Sequence, residues 1–169
     1  NACNQCHLDR TVAWAAEHLE TRWQVAPPPL SAEQKEVAAG ARWLLSGDAG
    51  MRMLAAWSFG WQPAQQASGT DWMAPYLARL LDDPYYAVRF NAARSLRSLS
   101  GIGGALARYN FVAEAKALQP FVDSVTSVWQ SQYRGGAKPE VLMGPRGLLR
   151  TRFDQLYARR DDRPVYIAE

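Results

Sequence analysis

The chain has 169 residues, 48% hydrophobic and 21% charged, with 12 glycines and 10 prolines. That composition is ordinary for one folded globular domain and excludes a collagen, a long disordered tail and a disulfide-dense mini-protein. The formal charge of +3 comes from 19 basic and 16 acidic residues interspersed along the chain, which leaves no basic track for nucleic acid. A chain this long buries roughly 70% of its unfolded surface, so neither a metal nor a disulfide is needed merely to fold it. No apolar run approaches the ~18 residues of a membrane span, and no basic-then-apolar leader opens the chain. The chain is therefore expected to be soluble and mature, with no transmembrane segment.

Both cysteines lie in Cys3-Asn4-Gln5-Cys6-His7, and four chemistries use such a pair. A thioredoxin-type redox pair expects a βαβ pattern, which the sequence lacks. A zinc site needs about four ligands, and the only other histidine is His18. A disulfide across two residues closes too short a loop to constrain much. Covalent attachment of haem c uses both cysteines and the histidine at this spacing. The two thiols add to vinyl groups on adjacent edges of the macrocycle, one helical turn spans the gap, and His7 projects beneath the ring toward iron. Cys3, Cys6 and His7 are thus the candidate haem-binding residues, with an intersubunit zinc site or a disulfide as the alternative.

Leu8, Val12, Ala15 and Leu19 recur at helical spacing and predict an amphipathic helix from Leu8 to Trp23, ended by Pro27-Pro28-Pro29. Trp14 is a candidate wall for a haem edge. Trp23 reads better as aromatic core packing. His18 follows His7 by eleven residues, which on one unbroken helix places it about 16 Å further along nearly the same face. Three roles stay open for it: second ligand on the same iron, ligand to a different haem, or a surface histidine. Met51, Met53, Met73 and Met143 are further distal candidates, although a helical methionine is more often core filler.

Residues 31–100 predict four helices: Ser31, as cap, to Leu45; then, after the Gly47-Asp48 turn, to Phe59; Asp71 to Leu81; and, after Asp82-Asp83-Pro84, Tyr85 to Leu99. They form two helical hairpins that match at a displacement of 37 residues, placing Trp43-Leu44 on Leu80-Leu81, Met51-Arg52 on Val88-Arg89, Ala55-Ala56 on Ala92-Ala93 and Phe59 on Leu96. Such a period belongs to helical solenoids. Arg52 and Arg89 read as bridges between repeats in preference to partners of haem propionates. Asp82-Asp83 and Asp161-Asp162 read as a turn and a helix terminus. Beyond the Gly101-Ile102-Gly103-Gly104 break, helices are predicted from Ala113 to Arg134 and from Pro145 to Arg159, with an extended tail whose Tyr166-Ile167 could tuck against a core or a partner.

Leu77 to Leu99 resembles a HEAT or HEAT-like repeat, and Leu44 to Gly60 resembles a degenerate preceding copy. Together with residues 1–10 and the ending Arg160-Asp161-Asp162-Arg163-Pro164-Val165, the chain is similar to the C-terminal region of bacterial multihaem c-type cytochromes that carry HEAT repeats. The resemblance implies an all-α fold of HEAT-like hairpins behind a haem-attachment helix. It divides the chain into a haem segment at 1–30, two hairpins at 31–100 and C-terminal helices with a tail at 101–169. It further implies covalent haem c and electron exchange with other cytochrome domains or subunits, including haem ligation across chains. Maturation would be periplasmic or extracellular, and the role that of a carrier in preference to a catalyst. The rival reading is a HEAT-type interaction scaffold.

Overall fold

The structure, a computed structural model, describes residues 2–164. The predicted tail contact of Tyr166-Ile167 lies outside the described residues, as do Asn1 and Val165 of the resemblance. The fold is all-α: helices α1 (Cys3–Cys6), α2 (Val12–Trp23), α3 (Ala32–Glu36), α4 (Ala39–Ser46), α5 (Ala49–Phe59), α6 (Gln62–Ser68), α7 (Met73–Ala78), α8 (Tyr86–Arg97), α9 (Gln119–Gln132) and α10 (Arg150–Tyr157). Two-residue strands β1 (Met143–Gly144) and β2 (Gly147–Leu148) pair antiparallel. Among the described residues, no helix is long and apolar enough to cross a membrane.

The helix expected from Leu8 to Trp23 starts later than its periodicity suggests. The first turn, α1, stops at His7, whose backbone leaves the helical region, and the chain re-enters a helix only at Thr11. Thr11 caps α2 by accepting from the Trp14 amide at 3.0 Å. Between the two helices Leu8 is fully buried in the main hydrophobic core. Its apolar side chain serves the core from a loop, which the helical spacing could not distinguish.

Ser31 does cap α3, in a reciprocal capping box with Gln34. The single helix predicted from there to Leu45 divides at Val37 and Ala38, both extended at the break. Ala38 bridges Thr11 and donates its amide to the Glu140 carbonyl at 2.8 Å, so distant chain segments take the hydrogen bonds that a continuous helix would have used. Gly47-Asp48 turns as expected. A Cβ on Gly47 would meet the Trp43 carbonyl at 2.6 Å, and Asp48 caps α5 by accepting from the Met51 amide at 2.7 Å. Helix α6 is additional to the prediction, with Pro63 in its first turn. Helix α7 is shorter than the predicted 71–81 because the chain tightens into turns after Ala78.

Helix α4 packs on α5 and α7, α5 on α8, and α7 on α8 and α9. Ala55, Ala56, Ala92 and Ala93 are all buried, and small side chains there let α5 and α8 approach closely. Phe59, Trp72, Tyr76 and Phe153 form an edge-to-face aromatic ladder with centroid spacings of 5.1, 5.3 and 5.0 Å. It ties α10 to the hairpins.

A buried ionic joint crosses the two hairpins. Arg52 and Asp83 are both fully buried. Arg52 donates through Nε and Nη2 to the two Asp83 carboxylate oxygens at 2.8 and 3.2 Å, and through Nη1 to the Gly47 carbonyl at 2.7 Å. Arg89 donates to the Asp83 main-chain carbonyl and to the carbonyls of Phe111 and Ala113. The matched arginines therefore bridge elements from inside. Asp161 and Asp162 also meet Arg52, at 2.8 and 3.2 Å, and fasten the C-terminal segment over the joint. The helix predicted from Pro145 begins only at Arg150, because Pro145-Arg146 form the tip of the β1–β2 hairpin.

Candidate functional site

The Cys3–Cys6 turn places two free thiols one helical turn apart, Cys3 exposed and Cys6 half-buried. The His7 amide closes the turn by donating to the Cys3 carbonyl at 2.9 Å, so His7 follows directly from it. The segment is held from behind. Asn4 is fully buried, and its Nδ2 donates to the carbonyls of His7, Arg10 and Thr11 at 3.2, 3.0 and 3.3 Å. Ser68 Oγ accepts from the Leu8 amide at 2.9 Å and donates to the Cys6 carbonyl at 2.8 Å. Gly40 donates to the Leu8 carbonyl at 3.1 Å, and a Cβ on it would lie 2.7 Å from that oxygen.

Asn4, Ser68 and Gly40 are the positioning residues that sequence reasoning missed. Asn4 carried one signal, a polar residue inside a motif that needs only its cysteines and histidine. Ser68 and Gly40 carried none, because their partners lie 60 and 32 residues away in the chain.

Trp14 lies on α2 beside the motif. Its ring touches His7 at 4.8 Å and His18 at 4.3 Å between centroids. The imidazoles are thus no farther apart than these two distances laid end to end, far closer than the unbroken helix predicts, because the chain turns between His7 and Thr11. His18 is exposed, and its Nδ1 sits 2.9 Å from the Trp14 carbonyl. A carbonyl can only accept, so Nδ1 is the donor in this contact and Nε2 is the ring nitrogen left for any other partner.

The other candidates separate from this cluster. Trp23 is 65% exposed, so the expected core packing does not occur: it is the last residue of α2, just before the left-handed Gln24 that ends the helix. Met73 and Met143 are buried in the core, Met53 packs against it, and Met51 is exposed on α5. Arg52 is spent on the buried joint and is closed to any surface propionate.

The donor set fits haem c: two thiols on one turn, Cys3 exposed and Cys6 half-buried, an imidazole next in sequence, and a backbone held by Asn4 and Ser68. Among the described residues no group of three or more His, Cys, Asp or Glu could hold a metal ion, so a closed zinc site would need ligands from another chain. No family model, curated protein or solved structure matches this chain.

Proposed function

We propose that the chain is an electron-transfer c-type cytochrome subunit or domain, with one haem joined by thioethers to Cys3 and Cys6 and its iron bound by His7. The observation that carries this reading is the accessible Cys3–Cys6 turn, with His7 directly after it and the backbone fastened by Asn4 and Ser68. When bound, the haem supplies a one-electron couple whose potential follows from axial ligation and exclusion of water. Asn4 and Ser68 hold the attachment turn rigid. Trp14 packs against the His7 ring and shields one side of it from solvent.

His18, with Nδ1 donating to a carbonyl, would offer Nε2 as the ligating atom. It would serve a haem carried by a neighbouring chain or domain. The α4–α5 and α7–α8 hairpins, matched at 37 residues and packed α5 on α8, are read as HEAT-like repeats that dock other cytochrome domains or subunits. Thioether formation places maturation in a periplasmic or extracellular compartment.

Co-expression with a haem c maturation system tests the proposal. The pyridine haemochrome of the denatured protein should show c-type bands, and Cys3→Ser with Cys6→Ser should abolish them. A colourless product from competent cells would instead favour the interaction scaffold.

A further inference from the structure

Helix α2 sets Trp14 and His18 one turn apart on one face, because residues four apart are neighbours on a helix surface. Their rings meet at 4.3 Å between centroids, and His18 Nδ1 donates to the Trp14 carbonyl at 2.9 Å. His18 is therefore joined to Trp14 through both the side chain and the main chain. The same indole meets the His7 ring at 4.8 Å. That contact exists because the chain turns between His7 and Thr11, where the Arg10 amide donates to the His7 carbonyl at 3.2 Å. The Arg10 guanidinium lies 6.0 Å from the centre of the indole, a third contact on one ring.

This row of rings differs from core packing. Trp14 belongs neither to the main hydrophobic core nor to the partly buried side chains packed against it. His18 is exposed, and His7 and Trp14 are only partly buried. The two rings that Trp14 joins are both of the histidines in the sequence. An open groove of about 320 Å³, lined by Glu17, His18, Thr21 and Arg22, leaves room beside His18 for a partner.

We propose that Trp14 conducts electrons between a haem held at His7 and a second haem, carried by a neighbouring chain or domain and ligated by His18 Nε2. The inference rests on the haem reading above. One electron leaves a ferrous iron on one side and is gained by a ferric iron on the other. No bond forms or breaks, and no proton moves. The indole is not itself oxidised. It fills with contacting atoms what would otherwise be a gap between two imidazoles, and tunnelling decays less steeply through contacting atoms than across open space. The imidazoles are no farther apart than the two centroid distances laid end to end, so the path is short.

Two measurements test this role. In the chain without haem, carrying Cys3→Ser and Cys6→Ser, nuclear Overhauser contacts should run from the Trp14 indole to both imidazoles. In the haem-bearing chain His7 is taken by iron, so a ruthenium ammine complex coordinates His18, and flash photolysis reads the electron-transfer rate between ruthenium and haem. With the midpoint potential measured in each protein, Trp14→Leu should slow that rate severalfold at equal driving force. Trp14→Phe, which keeps an aromatic ring, should lose less. Missing Overhauser contacts, an unchanged rate in Trp14→Leu, or equal losses in the two variants overturn the proposal. A chain that acquires no haem contradicts the haem reading and takes this proposal with it, whereas a haem-bearing chain with an unchanged rate overturns this proposal alone.

Discussion

Asn4 shows how a single side chain can fix a reactive segment. It is buried and donates to the carbonyls of His7, Arg10 and Thr11, each of which also accepts from a backbone amide. Asn4→Ala removes the side-chain donor that draws those three carbonyls together and should cost about 1–2 kcal/mol, read from urea denaturation, with haem attachment falling in step. Glu33 is a second residue-scale case. Partial burial raises its pKa, but hydrogen bonds and charge from Arg159 and Arg42 outweigh that, and the net shift is downward. A lowered carboxylate pKa contributes stability that is full above the unfolded value and is lost as pH falls through the folded one. Acidification should therefore lower Tm, and Glu33→Gln should flatten that acid limb while changing little below it. An equal acid slope in both proteins would exclude Glu33 as a contributor. At this scale the motif itself was legible, since Cys3, Cys6 and His7 are contiguous. Asn4 and Ser68 were not, because their roles depend on carbonyls that only the fold brings near.

At the scale of elements, locally determined features could be read from sequence and shared ones could not. Ser31 and Asp48 cap their own helices with amides three residues ahead, so the sequence neighbourhood suffices. The break at Val37-Ala38 depends on Thr11 and Glu140, and the pause at Leu8 depends on Gly40 and Ser68. Periodicity sees none of these partners. The close approach of α4 to the motif gives a sharp expectation: Gly40→Ala drives a methyl into the Leu8 carbonyl and should destabilise by about 1–3 kcal/mol, measured by thermal melting. The Arg52–Asp83 joint gives another. Arg52→Met takes from the buried Asp83 carboxylate its two closest side-chain donors, leaving it the Tyr85 amide at 3.0 Å and Arg160 at 3.8 Å; it should cost about 3 kcal/mol, while adding Asp83→Asn should recover much of that loss. If the double variant is no more stable than the single one, the joint acts through packing and not through charge.

Across the whole molecule, one hydrophobic core runs from Leu8 through both hairpins to Phe153 and Leu156. The attachment turn is therefore anchored to the same core as the helical body. That continuity gives the proposed cytochrome a rigid mount for its cofactor: Asn4 and Leu8 are fully buried while Cys3, between Ala2 and Asn4, stays exposed at the surface. The all-α class was legible from helical spacing and the absence of strand patterns. The β1–β2 hairpin was not, since its two-residue strands are too short to show an alternation. The most direct test of the central claim is the intact mass of the denatured, purified chain after expression with haem c maturation. The mass should equal the polypeptide plus one haem. A mass equal to the polypeptide alone, from cells that mature other c-type cytochromes, would contradict it.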